Sequence, residues 1–96
     1  MSYGIVLVFD GVGAEQYWAV NERLGIDRDG IGDWPAGMLS HCGGPMATGW
    51  VVAEVWESKA HQESFMASRL GAALGAVGLP APSQIIESDL VNYHTT

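Results

Sequence analysis

The fold of this chain is decided by residues 50–58, which read Trp50-Val51-Val52-Ala53-Glu54-Val55-Trp56-Glu57-Ser58. Residues 50–56 are rich in β-branched and aromatic side chains, which favour a strand. Ser58 follows at once, and serine is a preferred N-cap residue of a helix. The stretch therefore predicts a strand that leads into a helix without a long connecting loop.

The segments on either side complete a βαββαβ order. Strand character is present at residues 3–9, 38–43, 50–56 and 84–92, and helical spacing of apolar residues at 14–24 and 58–77. Gly25 and Gly78 fit the position just past a helix end, and residues 25–37 form a loop rich in glycine and aspartate. This order predicts one α+β domain over residues 1–96 with a ferredoxin-like fold, in which a four-stranded antiparallel sheet carries both helices on one face.

Composition restricts the partners of the domain. The chain has 96 residues with 11 acidic and 4 basic side chains and a net charge of −7, which argues against binding to nucleic acid or to an anionic membrane surface. Cys42 is the single cysteine, so an internal disulfide is impossible. The sequence shows neither a signal peptide nor an apolar run of membrane-spanning length. We therefore expect a cytoplasmic protein.

Alternation along the strand at 50–56 predicts which side chains share a face. We expect the smaller set, Val51, Ala53 and Val55, to pack under the helices. The larger set is expected on the open face of the sheet: Trp50, Val52, Glu54 and Trp56. Because two tryptophans on an open face need a covering surface, this pattern favours a homodimer that stacks two sheets and encloses an apolar cavity between them.

His41 is the strongest candidate for a catalytic residue. A hairpin that pairs Gly43 with Trp50 would place His41 opposite Val52 and Leu39 opposite Glu54. A histidine beside a carboxylate in an apolar cavity can act as a general base. We therefore predict catalytic roles for His41 and Glu54. One alternative is that His41 only hydrogen-bonds a backbone carbonyl or lies at the dimer rim. Another is a one-residue slip in the strand register, which would turn His41 toward the helices and Cys42 into the cavity.

The remaining predicted site is an apolar binding surface. We predict that the substrate contacts Leu39, Trp50, Val52, Trp56 and Trp34. Trp34 lies in the long loop, where it either covers the cavity as a lid or packs at the dimer edge. The three histidines lack the spacing of metal ligands, so neither a metal nor another cofactor is expected.

Residues 50–58 resemble the third strand and helix start of the dimeric α/β-barrel superfamily. The stretch His41-Cys42-Gly43-Gly44-Pro45, followed by Gly49-Trp50, is similar to small actinobacterial proteins of mostly unassigned function. Better-known members of the superfamily include antibiotic-biosynthesis-type monooxygenases, haem-degrading monooxygenases, muconolactone isomerases and stress-responsive proteins. The resemblance implies a homodimer with a sheet-lined cavity in each subunit that binds small, often aromatic molecules, and Trp56 matches a tryptophan that lines this cavity.

The chain also departs from parts of this superfamily. Haem-degrading members carry an axial histidine late in the second helix and an asparagine on the first strand, and neither is present at residues 69–79 or 3–9. The set of Trp, Asn and Arg expected of quinone-forming monooxygenases is incomplete as well. The resemblance therefore implies no haem.

Three hypotheses for function follow. The first is a cofactor-independent monooxygenase or isomerase that acts on a small apolar or aromatic compound, with His41 as general base. The second is a non-catalytic ligand-binding or stress-responsive dimer. The third is a structural dimer whose cavity is filled by its own side chains.

Overall fold

The computed structural model describes residues 2–94. Its elements are β1 (Ser2–Asp10), α1 (Ala14–Leu24), β2 (Met38–Met46), β3 (Gly49–Trp56), α2 (Lys59–Phe65), a π-helical segment (Met66–Leu70), α3 (Gly71–Val77) and β4 (Gln84–Leu90). The strands form one antiparallel sheet in the order β2-β3-β1-β4. The predicted ferredoxin-like α+β fold is confirmed.

The ends of the helices follow the sequence signals. Ser58 caps α2 by accepting a hydrogen bond from the backbone N–H of His61 at 3.2 Å. Gly25 and Gly78 end α1 and α3 in the left-handed conformation, each with a φ of 81°. Local chemistry alone therefore specifies where the helices begin and end.

The second helical region differs from the uninterrupted helix that the sequence predicts. Between α2 and α3 the backbone widens into the π-helical segment, where the N–H of Gly71 bonds the carbonyl oxygen of Met66. Such π-helical turns are rare in proteins, and those that occur often lie at functional sites. Here the turn carries Arg69, whose guanidinium donates to the carbonyl oxygens of Leu24 at 2.9 Å and of Asp33 at 2.6 Å. The π-helical segment thus ties the loop at 25–37 to the helices.

The prediction of which face of β3 lies under the helices is wrong. Trp50, Val52, Glu54 and Trp56 are all buried beneath the helices, and Trp56 is completely buried. Val51, Ala53 and Val55 are half-buried on the open face. The physical reason is that the helices offer aromatic partners to the two indoles: Trp50 lies 4.9 Å from the ring of Tyr17 on α1, and Trp56 lies 5.6 Å from that of Phe65 on α2. Burial of the two indoles also removes far more apolar surface from water than burial of the valines would.

The register between β2 and β3 also differs from the prediction. The strands continue closer to the turn than expected, so Pro45 rather than Gly43 lies opposite Trp50, and His41 lies opposite Glu54. This is a shift of two residues, which leaves every side chain on the same face as before. His41 therefore shares a face with Glu54 as predicted, although that face is the one under the helices.

The middle of the open face of the sheet is apolar, and no element within residues 2–94 covers it. It consists of alternate residues from the strands, among them Val6, Val51, Ala53, Val55 and Ile86. Ile86 is 51% exposed. No helix of the described part of the chain is long and apolar enough to cross a membrane.

The close pairing of β1 and β3 makes a stability prediction. A Cβ atom at Gly49 would overlap the carbonyl oxygen of Phe9, whereas a Cβ atom at Gly44 would have no neighbour within 4 Å. We expect Gly49→Ala to lower the free energy of unfolding by about 1–3 kcal/mol, since the backbone of β1 must move. Gly44→Ala should change it by less than about 0.5 kcal/mol. Urea unfolding followed by tryptophan fluorescence at one protein concentration measures both, and equal midpoints for the two variants would contradict the described pairing.

Candidate active site

A small cavity lies between the sheet and the helices of a single chain. It has a volume of about 50 Å³ and a mostly apolar lining that includes Leu7, Phe9, Leu24, Trp50, Val52 and Leu70. A water molecule needs roughly 10–15 Å³ of such volume, so the space suits a few waters and is smaller than an aromatic ring. This cavity is formed within a single chain, on the face of the sheet opposite to the one where the sequence predicts a cavity between two stacked sheets.

The two predicted catalytic residues, His41 and Glu54, meet at this cavity. His41 of β2 and Glu54 of β3 face each other across the strand pair, and His41 Nδ1 lies 2.9 Å from Glu54 Oε2. Their side chains are 14% and 5% exposed. Because water reaches the pair so little, each polar atom depends on a partner supplied by the protein.

Trp56 supplies the second partner of the carboxylate. Its indole N–H donates to Glu54 Oε1 at 3.0 Å. Residues 54 and 56 share a face because they lie two apart on one strand. Trp56 is not among the residues that line the cavity, so its predicted contact with substrate is not supported by its position. Trp56 instead fixes the position of the Glu54 carboxylate through this hydrogen bond.

Tyr17 of α1 completes the polar group, and sequence reasoning missed it. Its hydroxyl oxygen lies 2.6 Å from His41 Nε2, and its ring centroid lies 4.9 Å from that of Trp50. Tyr17 occurs with Val20 and Leu24 at helical spacing, and this pattern marked it only as a core residue. The available signal was its hydroxyl, since a tyrosine on an apolar face needs a hydrogen-bond partner.

The donors and acceptors fix the direction of this chain of hydrogen bonds. A carboxylate only accepts, so in neutral His41 the proton is on Nδ1 and is donated to Glu54. His41 Nε2 is then an acceptor, and Tyr17 donates its hydroxyl proton to it. The result is an ordered series from Tyr17 through His41 to Glu54, with Trp56 donating from the far side.

Burial also affects the phenol of this series. Burial raises the pKa of Tyr17 above its ordinary value, and the charge of Glu54 adds to the increase against an opposing contribution from Asn21. The hydroxyl therefore stays protonated at neutral pH and remains the donor to His41.

Of the remaining predicted binding residues, Trp34 lines the cavity and Leu39 does not. Trp34 lines the cavity, with its ring centroid 5.3 Å from that of His41, and its indole N–H donates to the carbonyl oxygen of Gly30 at 2.8 Å. It is 36% exposed and so forms part of the outer wall. Leu39 lies at an irregularity of the β2–β3 pairing, is 43% exposed and is not among the lining residues. The two-residue shift in register places His41 opposite Glu54, so Leu39 does not take its predicted place there.

One lining residue carries an unused donor. The indole N–H of Trp50 is buried and has no hydrogen-bond partner among residues 2–94. A buried donor without a partner costs about 1–3 kcal/mol, which makes it a natural site for an acceptor on a bound molecule. Within the same residues, no three His, Cys, Asp or Glu side chains lie close enough together to hold a metal ion.

The fold is shared with the crystal structure of a candidate antibiotic biosynthesis monooxygenase from Chloroflexus aurantiacus J-10-fl. The TM-score is 0.66 at 16% sequence identity, over 99% of this chain and 98% of the other. At this identity the likeness shows the fold alone. It confirms the ferredoxin-like fold that the sequence predicts. No protein-family model and no curated protein matches the chain.

The direction of the hydrogen bonds makes a prediction for Glu54→Gln. A glutamine amide can donate to His41 Nδ1, which moves the imidazole proton to Nε2 and makes the Tyr17 oxygen an acceptor. We therefore expect nitrogen NMR of labelled protein to show the Nδ1–H form of His41 in the parent chain and the Nε2–H form in Glu54→Gln. Glu57→Gln is the matched control, because Glu57 is exposed and lies 4.0 Å from His61. An unchanged His41 tautomer in Glu54→Gln would contradict the proposed order of donors.

Proposed function

We propose that this chain binds a small apolar or aromatic molecule in the cavity and removes a proton from it, acting as a cofactor-independent monooxygenase or isomerase. The observation that carries the proposal is the buried His41–Glu54 pair, with 2.9 Å between Nδ1 and Oε2, at the edge of an apolar cavity. His41 is the proton acceptor, and Glu54 orients the imidazole and stabilises the imidazolium that forms. The catalytic hypothesis therefore moves from an intersubunit cavity to the cavity under the helices.

The surroundings of His41 favour removal of a proton from a weakly acidic C–H group or from a phenol. An apolar lining excludes water, which strengthens the attraction between the imidazolium and the carboxylate. The unpartnered N–H of Trp50 is available to an oxygen atom of the substrate on which negative charge develops. A ketone with an adjacent acidic C–H, or a phenol, offers both an acidic hydrogen and such an oxygen.

The two reactions share this first step and then differ. In an isomerase the proton returns from His41 to another carbon, and no atoms are gained or lost. In a monooxygenase the substrate anion gives an electron to dioxygen, and the radical pair joins as a peroxide anion. This anion takes the proton back from the His41 imidazolium and becomes a hydroperoxide. Loss of water then leaves one oxygen atom in the new carbonyl group and one in water. The substrate anion itself is the reductant, so neither route requires a cofactor.

The structural neighbour supports the monooxygenase form. It is described as a candidate antibiotic biosynthesis monooxygenase and shares the fold over nearly the whole chain. Oxygen consumption during turnover separates this form from the isomerase.

Ligand entry requires a change at the outer wall of the cavity. Its 50 Å³ is too small for an aromatic molecule. Trp34 is the lining residue best placed to move, because it is on the long loop at 25–37 and is partly exposed. We propose that Trp34 swings outward on binding, which gives its predicted role as a lid.

We also propose that two copies pair through the open faces of their sheets. Val6, Val51 and Val55 form the middle of this face, and Ile86 extends it on β4. An uncovered apolar sheet face is stabilised when a second such face excludes water from it. The charge of −7 on each chain opposes contact elsewhere on the surface, which leaves this face as the favoured site of contact.

His41→Ala tests the catalytic proposal. The assay is exchange of the acidic C–H hydrogens of β-tetralone for deuterium in heavy water, followed by mass spectrometry, because it measures proton removal alone. We expect the variant to lose roughly 100-fold or more in the protein-catalysed rate, since the general base is gone. Binding of β-naphthol, followed by its fluorescence, should change by less than about threefold, because apolar contacts dominate it.

Two outcomes would contradict this proposal. Equal exchange rates in the parent chain and His41→Ala would remove the catalytic role and leave a ligand-binding protein. Failure of the parent chain to bind β-naphthol would favour the hypothesis of a cavity filled by its own side chains.

Ala53→Glu tests the dimer. The residue is half-buried near the centre of the open face, opposite Val6 on β1. We expect sedimentation velocity to give about twice 10.2 kDa for the parent chain and a single-chain mass for the variant, because a buried carboxylate would be unpaired at the interface. Ala72→Glu is the control, since Ala72 is exposed on α3 and its variant should remain dimeric. A monomeric parent chain would remove the proposal.

A further inference from the structure

We propose that Tyr17 is the catalytic residue that contacts the substrate, and that its oxygen accepts the substrate proton while its own proton passes to His41. This inference rests on the proposed function and changes which atom meets the acidic hydrogen. His41 then acts as the second acceptor of a relay.

The imidazole of His41 has no free ring nitrogen. His41 Nδ1 is bonded to Glu54 Oε2 at 2.9 Å, and Nε2 is bonded to the Tyr17 hydroxyl at 2.6 Å. His41 lines the cavity, but a substrate can give a proton to one of its ring nitrogens only through Tyr17 or after Tyr17 has left Nε2. Tyr17 itself lines the cavity, and its oxygen retains lone pairs when its proton is donated to Nε2.

Tyr17 is held in its position by the residues around its ring. Its ring is packed against Trp50 and is within 8° of parallel to the ring of His41. The backbone of β2 also lies close to this ring. A Cβ atom added at Gly43 would lie 3.0 Å from both Cζ and the hydroxyl oxygen of Tyr17. Gly43 therefore provides the space that this ring position needs. A side chain confined in this way is better suited to relay a proton than to move aside.

The proton transfers balance along the series. The substrate X–H bond breaks, its electron pair stays on X, and its proton forms a new O–H bond on Tyr17. The original Tyr17 O–H bond breaks, and that proton forms a bond with His41 Nε2. Tyr17 is unchanged, the substrate is an anion, and His41 is an imidazolium beside the carboxylate of Glu54. The raised pKa of Tyr17 agrees with a phenol that passes a proton on and does not act as a stored phenolate.

This inference sets a requirement on the ligand. The substrate must present a hydrogen-bond donor or an activated C–H to the Tyr17 oxygen. β-Naphthol has an O–H donor, and β-methoxynaphthalene has the same rings with the donor replaced by a methyl ether. The pair therefore reports contact with the Tyr17 oxygen without any turnover.

Tyr17→Phe is the first test, since phenylalanine keeps the ring packing and removes only the hydroxyl. We expect the variant to bind β-naphthol roughly five- to tenfold more weakly and β-methoxynaphthalene equally well, as for the loss of one hydrogen bond. Exchange of β-tetralone hydrogens should fall by about 100-fold. If His41 contacts the substrate directly, the freed Nε2 would leave the exchange rate equal or higher, and that result would overturn the inference.

Gly43→Ala is the second test, because it displaces the Tyr17 ring and removes no polar group. We expect about a tenfold loss of exchange in the parent background and no further loss in the Tyr17→Phe background. Gly44→Ala is the matched control, since its added methyl group meets no atom within 4 Å. Equal effects of Gly43→Ala in both backgrounds would assign Gly43 to the strand alone and count against the placement of Tyr17.

These results separate the two proposals. Loss of exchange in both His41→Ala and Tyr17→Phe supports the relay. Loss in His41→Ala with full activity in Tyr17→Phe overturns the role of Tyr17 and keeps the proposed function. Full activity in both overturns the proposed function, and unchanged β-naphthol affinity in Tyr17→Phe overturns contact with the Tyr17 oxygen.

Discussion

The buried carboxylate of Glu54 is the constraint on which the rest of the site depends. Its side chain is only 5% exposed, so its charge must be balanced by groups that the fold supplies. Trp56 and His41 each donate an N–H to one of its oxygens. The first donor requires residues two apart on β3, and the second requires the observed pairing of β2 with β3. A different register would remove the His41 donor and leave one oxygen of the buried carboxylate unpaired, so the sheet and the candidate site stabilise the same arrangement.

Local signals predict the elements well and the faces poorly. The order of elements, the cap at Ser58 and the left-handed Gly25 all follow from nearby residues. Period-two alternation likewise places Trp50 and Trp56 on one face. It cannot say which face the helices cover, because that depends on which side chains of the helices meet the sheet. Tyr17 of α1 packs on Trp50 and Phe65 of α2 packs on Trp56, and these contacts hold the large residues of β3 in the interior.

The candidate site combines parts of different predictability. His41 and Glu54 could be predicted together because a register error of two residues preserves the face of a strand. Tyr17 could not be assigned in the same way, since it lies 24 residues from His41 and meets it only after α1 packs on the sheet. Arg69 presents the same difficulty. Its contacts with Leu24 and Asp33 depend on the π-helical segment, which no sequence signal indicates here.

The small volume of the cavity follows from the same chemistry. An empty apolar pocket wide enough for an aromatic ring would forfeit contacts along its lining and expose the His41–Glu54 pair to solvent. Aromatic rings from Tyr17, Trp34 and Trp50 occupy that space and keep the pair nearly dry. Of these rings only Trp34 is outside the regular elements, on a loop that Arg69 ties at Leu24 and Asp33. Movement confined to Trp34 would admit a ligand while the strand pairing that holds Glu54 stays intact, which separates the part of the site that must move from the part that must not.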